Sequence, residues 1–175
     1  MNFSASDAPH PATLAPERLL EDCEVRRTRA AGPGGQRRNK VETAIEIIHR
    51  PSGQQALAVE RRSQEENRRV ALRRLRLNLA IHLRNVTTEF VEPSALWTSR
   101  CRDNRISCSE KHADFPSMLA EAMDAVDAKS YDVRRAAAAL GCSTSQLIRF
   151  IAKAPSALEK LNAERQSRGL KRLKT

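Results

Sequence analysis

The residues best equipped for chemistry are Gly32-Pro33-Gly34-Gly35-Gln36-Arg37-Arg38-Asn39-Lys40. Successive glycines carry no Cβ, so the backbone can adopt positive φ and press against a ligand where a side chain would collide. Pro33 limits the freedom of that approach. Amides after the glycines become fixed donors, which is what an oxyanion or an alkoxide leaving group needs in a hydrolytic transition state. Gln36 adds a carboxamide that can orient water without titrating. Arg37, Arg38 and Lys40 surround the tip with charge suited to an RNA backbone. A glycine loop that merely joins two strands is the plainer alternative, and the tripeptide alone does not exclude it.

The elements that must hold this loop lie on either side of it. Cys23 to Thr28 is compatible with a strand, and β-branched residues return over 41–48, with Thr43, Ile45, Ile47 and Ile48. Pro51-Ser52-Gly53 reads as a turn and 55–59 as a returning strand, so a hairpin is expected. Residues 63–84 contain no Gly or Pro and open with Ser63 and Glu66 at capping-box spacing, which predicts a long helix. Leu72, Leu75, Leu79 and Leu83 form one apolar stripe, and Val70, Leu77 and Ile81 a second, which predicts packing on two sides. Arg68, Arg69, Arg73, Arg74 and Arg76 fill the flanks, within reach of solvent or phosphate.

Several separated anchors around the loop resemble the catalytic domain of class I peptide chain release factors and their short, ribosome-rescuing relatives. They are Gly32-Pro33-Gly34-Gly35-Gln36, then Asn39-Lys40, Thr43-Ala44-Ile45, His49-Arg50-Pro51-Ser52-Gly53, and Arg62-Ser63-Gln64 with Asn67, in that order between Glu24 and Leu83. The resemblance implies hydrolysis by water of the ester joining a nascent peptide to tRNA, on the large ribosomal subunit, with Gly34, Gly35 and Gln36 at the reaction. It implies that the Gln36 amide stabilises the transition state while its side chain positions water and excludes bulkier nucleophiles. It makes Gln36 a candidate for methylation by a glutamine methyltransferase. Arg37, Arg38, Lys40, Arg62, Gln64 and Asn67 are candidate RNA contacts, although Arg62-Ser63-Gln64 and Asn67 can equally brace the loop.

The sequence departs from the family pattern at Arg37-Arg38, where His-Val is common, and at Ala31, where Ser is common, so packing beneath the loop is expected to differ. Codon-reading domains are not expected in the twenty or so residues upstream, and Pro11-Ala12-Thr13 resembles a codon-reading tripeptide only by chance. A stop-codon-independent hydrolase is therefore expected. The short relatives carry a basic C-terminal tail resembling an anchor in the mRNA channel of the small subunit. Lys160, Arg165, Arg168, Lys171, Arg172 and Lys174 are the candidates for that role, with a merely solvated basic end as the alternative.

The fold class expected is α+β: a small glycine-loop domain of short strands and a long helix, followed by a mainly helical, helix-turn-helix-like module. Residues 1–20, with prolines at 9, 11 and 16, are expected to be a flexible tail, 21–90 the catalytic domain, and 91–130 a connector. Within that connector, 97–101 and 105–109 flank Asp103-Asn104 as a hairpin, and 116–128 is helical. Residues 131–157 form the helix-turn-helix-like module, with Ala137, Gly141, Leu147 and Phe150 at its key positions. Ser143, Thr144, Ser145 and Gln146 could read DNA bases, but the same spacing fits a module docking on RNA or protein. A last helix is expected to start near Pro155, and residues 158–175, with six basic and two acidic side chains, are expected to be a basic tail that is unstructured when free.

Composition limits the partners. Of 175 residues, 31 are Lys or Arg and 21 Asp or Glu, a net charge of +10 that favours a polyanion such as nucleic acid. Aromatics make up 3% of the chain, too few for a base-stacking sheet, so phosphate contacts should dominate. Cys23, Cys101, Cys108 and Cys142 include no C-x-x-C pair, and His10, His49, His82 and His112 are scattered. No metal site, disulfide framework or cofactor is expected. Without a signal, transit or membrane-spanning segment, a cytoplasmic monomer acting on the ribosome is the reading. A noncatalytic RNA- or DNA-binding protein with the same fold is the rival.

Overall fold

A computed structural model of the chain describes residues 9–28, 43–85 and 91–174. It is an α+β protein whose described residues divide into two units, one over 14–79 and the other combining 9–13 with 80–174. The boundary between them falls inside a helix, after Leu79.

The first unit opens with helix α1 (Pro16–Glu21), which starts on proline, the residue that loses least at a helix's first turn. Strands β1 (Cys23–Thr28), β2 (Ala44–His49) and β3 (Gln55–Ala58) follow and pair antiparallel in chain order. The register sets Ile45 opposite Ala58 and Ile47 opposite Ala56, and all four are buried. Because strand side chains alternate, Glu24, Arg26 and Gln55 occupy the other face. Helix α2 (Gln64–His82) lies against this sheet, with Arg74 donating to the Leu57 carbonyl at 2.7 Å and Asn78 to that of Gln55 at 2.8 Å.

The expected two stripes on α2 resolve differently within this unit. Its fully buried line is Asn67, Ala71, Leu75 and Leu79, spaced by four, whereas Val70, Leu72 and Leu77 are half-buried. Small and polar residues near the start of the helix let its backbone approach the sheet, a role that leucine counting overlooks.

In the second unit, helix α3 (Ala95–Arg100) leads into a two-residue-stranded hairpin, β4 (Cys101–Arg102) and β5 (Arg105–Ile106). Residues 97–101 were expected as a strand; instead Ser94 caps α3 by accepting from the Trp97 amide at 3.0 Å. Asp103 and Asn104 both have positive φ, 49° and 60°, as a two-residue primed turn requires. Helices α4 (Phe115–Ala128), α5 (Val133–Ala139), α6 (Thr144–Ala152) and α7 (Pro155–Ser167) complete the unit. Gly141, at φ +65°, turns α5 into α6, and Ala137, Leu147 and Phe150 are buried. Trp97 and Phe115 both meet Phe150 edge-on, at 5.9 and 5.2 Å, so the stretch expected as a connector shares the core of the helix-turn-helix.

Of the segments expected as tails, residues 9–20 and 158–174 are described and make the contacts that follow, while residues 1–8 lie outside the described residues. Ala12 sits fully buried in a 3-10 turn (Pro11–Thr13), and Ser117 of α4 donates to its carbonyl at 3.2 Å. At the other end, α7 closes on Gly169 (φ +72°), with the Leu170 amide donating back to Arg165 at 2.9 Å. The buried Asn162 then holds Leu173 by two hydrogen bonds, 2.7 Å from its amide and 3.2 Å to its carbonyl. Neither contact is visible to a reading of local composition.

Candidate functional site

Residues 29–42 join β1 to β2, and Gly34, Gly35, Gln36, Arg37, Arg38 and Lys40 lie within them, outside the described residues. What is described is the base from which they depart. The β1–β2 ladder runs from Cys23 opposite His49 to Thr28 opposite Ala44. Directly opposed residues of an antiparallel pair lie about 4.5–5.5 Å apart, so the segment leaves and re-enters the sheet at neighbouring points.

Asn67 reaches this base from the first turn of α2. Its Nδ2 donates to the carbonyl oxygens of Thr43, at 2.6 Å, and Arg61, at 3.0 Å, while its Oδ1 accepts from the Arg61 amide at 2.9 Å. Both amide protons are used and the residue is fully buried. One side chain thereby ties the returning end of the loop to the entry of the helix. Asn67 has no surface left for RNA, so its assignment as an RNA contact is corrected: the geometry fits bracing. Arg62 is exposed and Gln64 half-buried beside it.

The β2–β3 turn is fixed from within and from behind. His49 accepts at its backbone carbonyl from the Gly53 amide, at 2.8 Å, and Gly53 has φ +68°. The His49 ring Nδ1 lies 2.7 Å from the Ser52 hydroxyl, and burial lowers its pKa, keeping it neutral. Arg50 donates from its amide to Asp22 at 3.0 Å and from its guanidinium to Glu21 at 2.5 Å. The residues His49 to Gly53 therefore anchor the sheet to the junction of α1 and β1. On α2, Arg74 grips Glu60 through both carboxylate oxygens, at 2.5 and 3.2 Å, and the amide of Val59 with that cation keeps the Glu60 carboxyl below its usual pKa. Arg74 is thus an internal tie and not a free phosphate contact.

The six C-terminal cations do not form one set. Lys160 and Arg168 both pair with Glu164, at 2.9 and 2.6 Å, and hold its carboxyl below the usual range. Arg168 also stacks 4.0 Å over the Tyr131 ring, and Arg165 donates to the carbonyls of Tyr131 and Lys171. Lys171, Arg172 and Lys174 are exposed. The first three are committed to the fold, and the last three face solvent.

The start of α6 is also partly committed. Ser143 caps the helix through the Gln146 amide at 3.2 Å, Gln146 accepts from the Ile106 amide at 3.4 Å, and the Ser143 amide donates to Asn104 at the hairpin tip, at 3.2 Å. The hairpin thereby engages Ser143 and Gln146 at the start of α6, while Ser145 stays exposed. Sequence reading found the turn but not what it carries, Arg102 directly opposite Arg105. The alternation of Arg102 and Arg105 with Cys101 and Ile106 was the available signal.

Among the described residues no group of three or more His, Cys, Asp or Glu is arranged to hold a metal ion, and no helix is long and apolar enough to cross a membrane. The four cysteines are unpaired, and burial pushes the thiols of Cys23 and Cys142 up to about 11 and about 12. Neither is a thiolate nucleophile at neutral pH.

Comparison with known proteins agrees with this architecture. Residues 19–112 match the RF-1 domain. The chain is 48% identical over 61 residues to peptide chain release factor PrfB1, chloroplastic, of Arabidopsis thaliana, covering 35% of this chain and 13% of the relative. It is 38% identical over 72 residues to peptide chain release factor 1 of Caldicellulosiruptor bescii, covering 41% and 20%. With peptide chain release factor 1 of Chlorobaculum tepidum it shares 48% identity over 73 residues, covering 38% and 20%. The chain thus spans a fifth or less of the length of these relatives.

Proposed function

The chain belongs to the RF-1 domain family, and from that premise we propose that it hydrolyses the ester of peptidyl-tRNA on the ribosome. Water attacks the ester carbonyl carbon, the bond to the tRNA ribose oxygen breaks, and that oxygen takes a proton as the peptide leaves as a carboxylic acid. The Gln36 amide, freed of steric hindrance by Gly34 and Gly35, donates to the oxygen that gains charge, and the Gln36 carboxamide orients the water. Arg37, Arg38, Lys40, Arg62 and Gln64 supply the cations and the amide for contacts with rRNA in this reading.

The observation that carries this reading is the Asn67 tie to Thr43, next to the paired ends of β1 and β2. Catalysis by main-chain donors needs a loop whose base does not move, because a donor displaced by an ångström no longer meets the developing charge.

Codon independence is the finer part of the proposal. Against a codon-reading role for Pro11-Ala12-Thr13, Ala12 is buried and the Thr13 hydroxyl donates to the His10 carbonyl at 2.7 Å. In this reading an unfilled mRNA channel is the signal, and Lys171, Arg172 and Lys174 are the exposed cations suited to it. Methylation of Gln36 by a glutamine methyltransferase belongs to the same proposal. The rival is a noncatalytic RNA- or DNA-binding protein of the same fold, and its base-reading arm is weakened by the hairpin's hydrogen bonds to Ser143 and Gln146.

The test is release of labelled peptide from ribosomes whose mRNA ends in the P site, set beside ribosomes holding a sense or a stop codon in the A site. Release on the truncated message without a stop codon is expected. Release only with a stop codon would make the protein a codon-dependent terminator.

A further inference from the structure

The hairpin of β4 and β5 has two unlike faces. Ser107 donates its amide to Arg100 at 2.8 Å, Cys101 pairs with Ile106, and Arg102 with Arg105. Alternation therefore puts Ile106, which is buried, on one face, and Arg100, Arg102, Arg105 and Ser107 on the other. With Ser99 these four line an open cleft of about 300 Å³. Arg100 is neutralised by Asp114, at 2.7 and 3.1 Å, and its guanidinium also lies 3.0 Å from His112 Nε2. Arg102 and Arg105 are exposed, and no carboxylate among the described residues pairs with either.

Two like charges directly opposed on adjacent strands destabilise a hairpin, and this one has only two residues per strand to resist them. A sequence that breaks a local rule where the fold gains nothing points to a ligand. An anion between the two guanidinium groups would turn the repulsion into a fork of donors, the arrangement arginine offers a phosphate.

We propose that this cleft binds the phosphodiester backbone of RNA. Its lining side chains are all Arg and Ser, with no aromatic ring to stack a base, so recognition is of the backbone, phosphate by the guanidinium groups and the ribose 2′-hydroxyl by Ser107, and not of sequence. Its openness suits a continuous chain better than an enclosed small anion. The choice of RNA over DNA rests on the ribosomal reading above.

The experiment uses the full chain and a fluorescein-labelled RNA hairpin, with a DNA hairpin of the same sequence and inorganic phosphate at constant ionic strength as competitors. Arg102→Ala/Arg105→Ala should weaken RNA binding by about tenfold near 100 mM salt and lower the log–log salt slope by about two. Arg134→Ala/Arg135→Ala removes the same charge from exposed positions on α5 and should cost less than about threefold. The cleft doublet should melt at or above the parent temperature, because it removes the opposed charges. Equal losses from both doublets, or none from the first, would overturn the proposal. So would competition by inorganic phosphate at low millimolar concentration, which would make the cleft a free-phosphate site, or equal competition by DNA. Gly35→Ala should keep RNA affinity while losing peptide release, so the cleft and the hydrolytic reading fail separately.

Discussion

The Asn67 carboxamide donates to the Thr43 carbonyl at 2.6 Å, joining residues 24 positions apart in the chain. Thr43 is the first described residue after the Gly-Gly-Gln segment, and Asn67 belongs to the helix that packs beneath the sheet. A family anchor that looks like a surface polar residue in sequence is thus a buried strut.

Removing that strut should destabilise the first unit. Asn67→Ala leaves the Thr43 and Arg61 carbonyls and the Arg61 amide without their partner beside a fully buried position. A loss of about 2–4 kcal/mol in urea unfolding is expected. A change below about 0.5 kcal/mol, the usual range for an exposed position, would contradict the bracing role.

Asp124, on α4, gives the second unit a pH dependence of definite sign. Burial, the largest influence, raises its pKa to about 7 despite the nearby Arg84 and the Asn85 amide that donates to it at 3.3 Å. The folded chain holds the proton up to about pH 7, whereas the unfolded chain sheds it near 4. Over that interval the folded state binds more protons, so this group makes stability fall as pH rises. Asp124→Asn should match the parent at about pH 4 and exceed it by on the order of a few kcal/mol above pH 7. An advantage that is independent of pH would contradict the account.

The exposed C-terminal cations should act as counter-charges and not as structure. Replacing Lys171, Arg172 and Lys174 together by Ala should leave the melting temperature within about 1–2 °C while lowering the salt slope of ribosome binding by up to about three. Replacing Lys160, Arg165 and Arg168 should instead lower stability, because these hold Glu164, Tyr131 and the returning chain. The opposite pattern would place the functional cations on α7.

Much of this was legible because local chemistry and tertiary structure agree. Ile45 and Ile47 alternate onto the buried face, Gly53 and Gly141 adopt the positive φ their turns need, and Ser143 caps the helix it precedes. The misses share one cause, long-range partners. Trp97 belongs to a helix whose indole donates to the Leu140 carbonyl at 2.8 Å, although its neighbours read as strand. Ala12 is ordered by Ser117, 105 residues away, and Leu173 by Asn162. Gly34, Gly35 and Gln36 lie outside the described residues, and of the two readings open for Asn67 in the sequence, bracing and RNA contact, its partners Thr43 and Arg61 fit bracing; those partners were not legible because Thr43 is distant in sequence.

The most direct test of the central claim is single-turnover release of labelled peptide from ribosomes stalled at the end of an mRNA, comparing the parent with Gly35→Ala. A Cβ at residue 35 should slow release by a factor of about 100 or more, the scale of losing one transition-state donor, with ribosome affinity unchanged. Equal release by both proteins, or none by the parent at saturating concentration, would contradict the account.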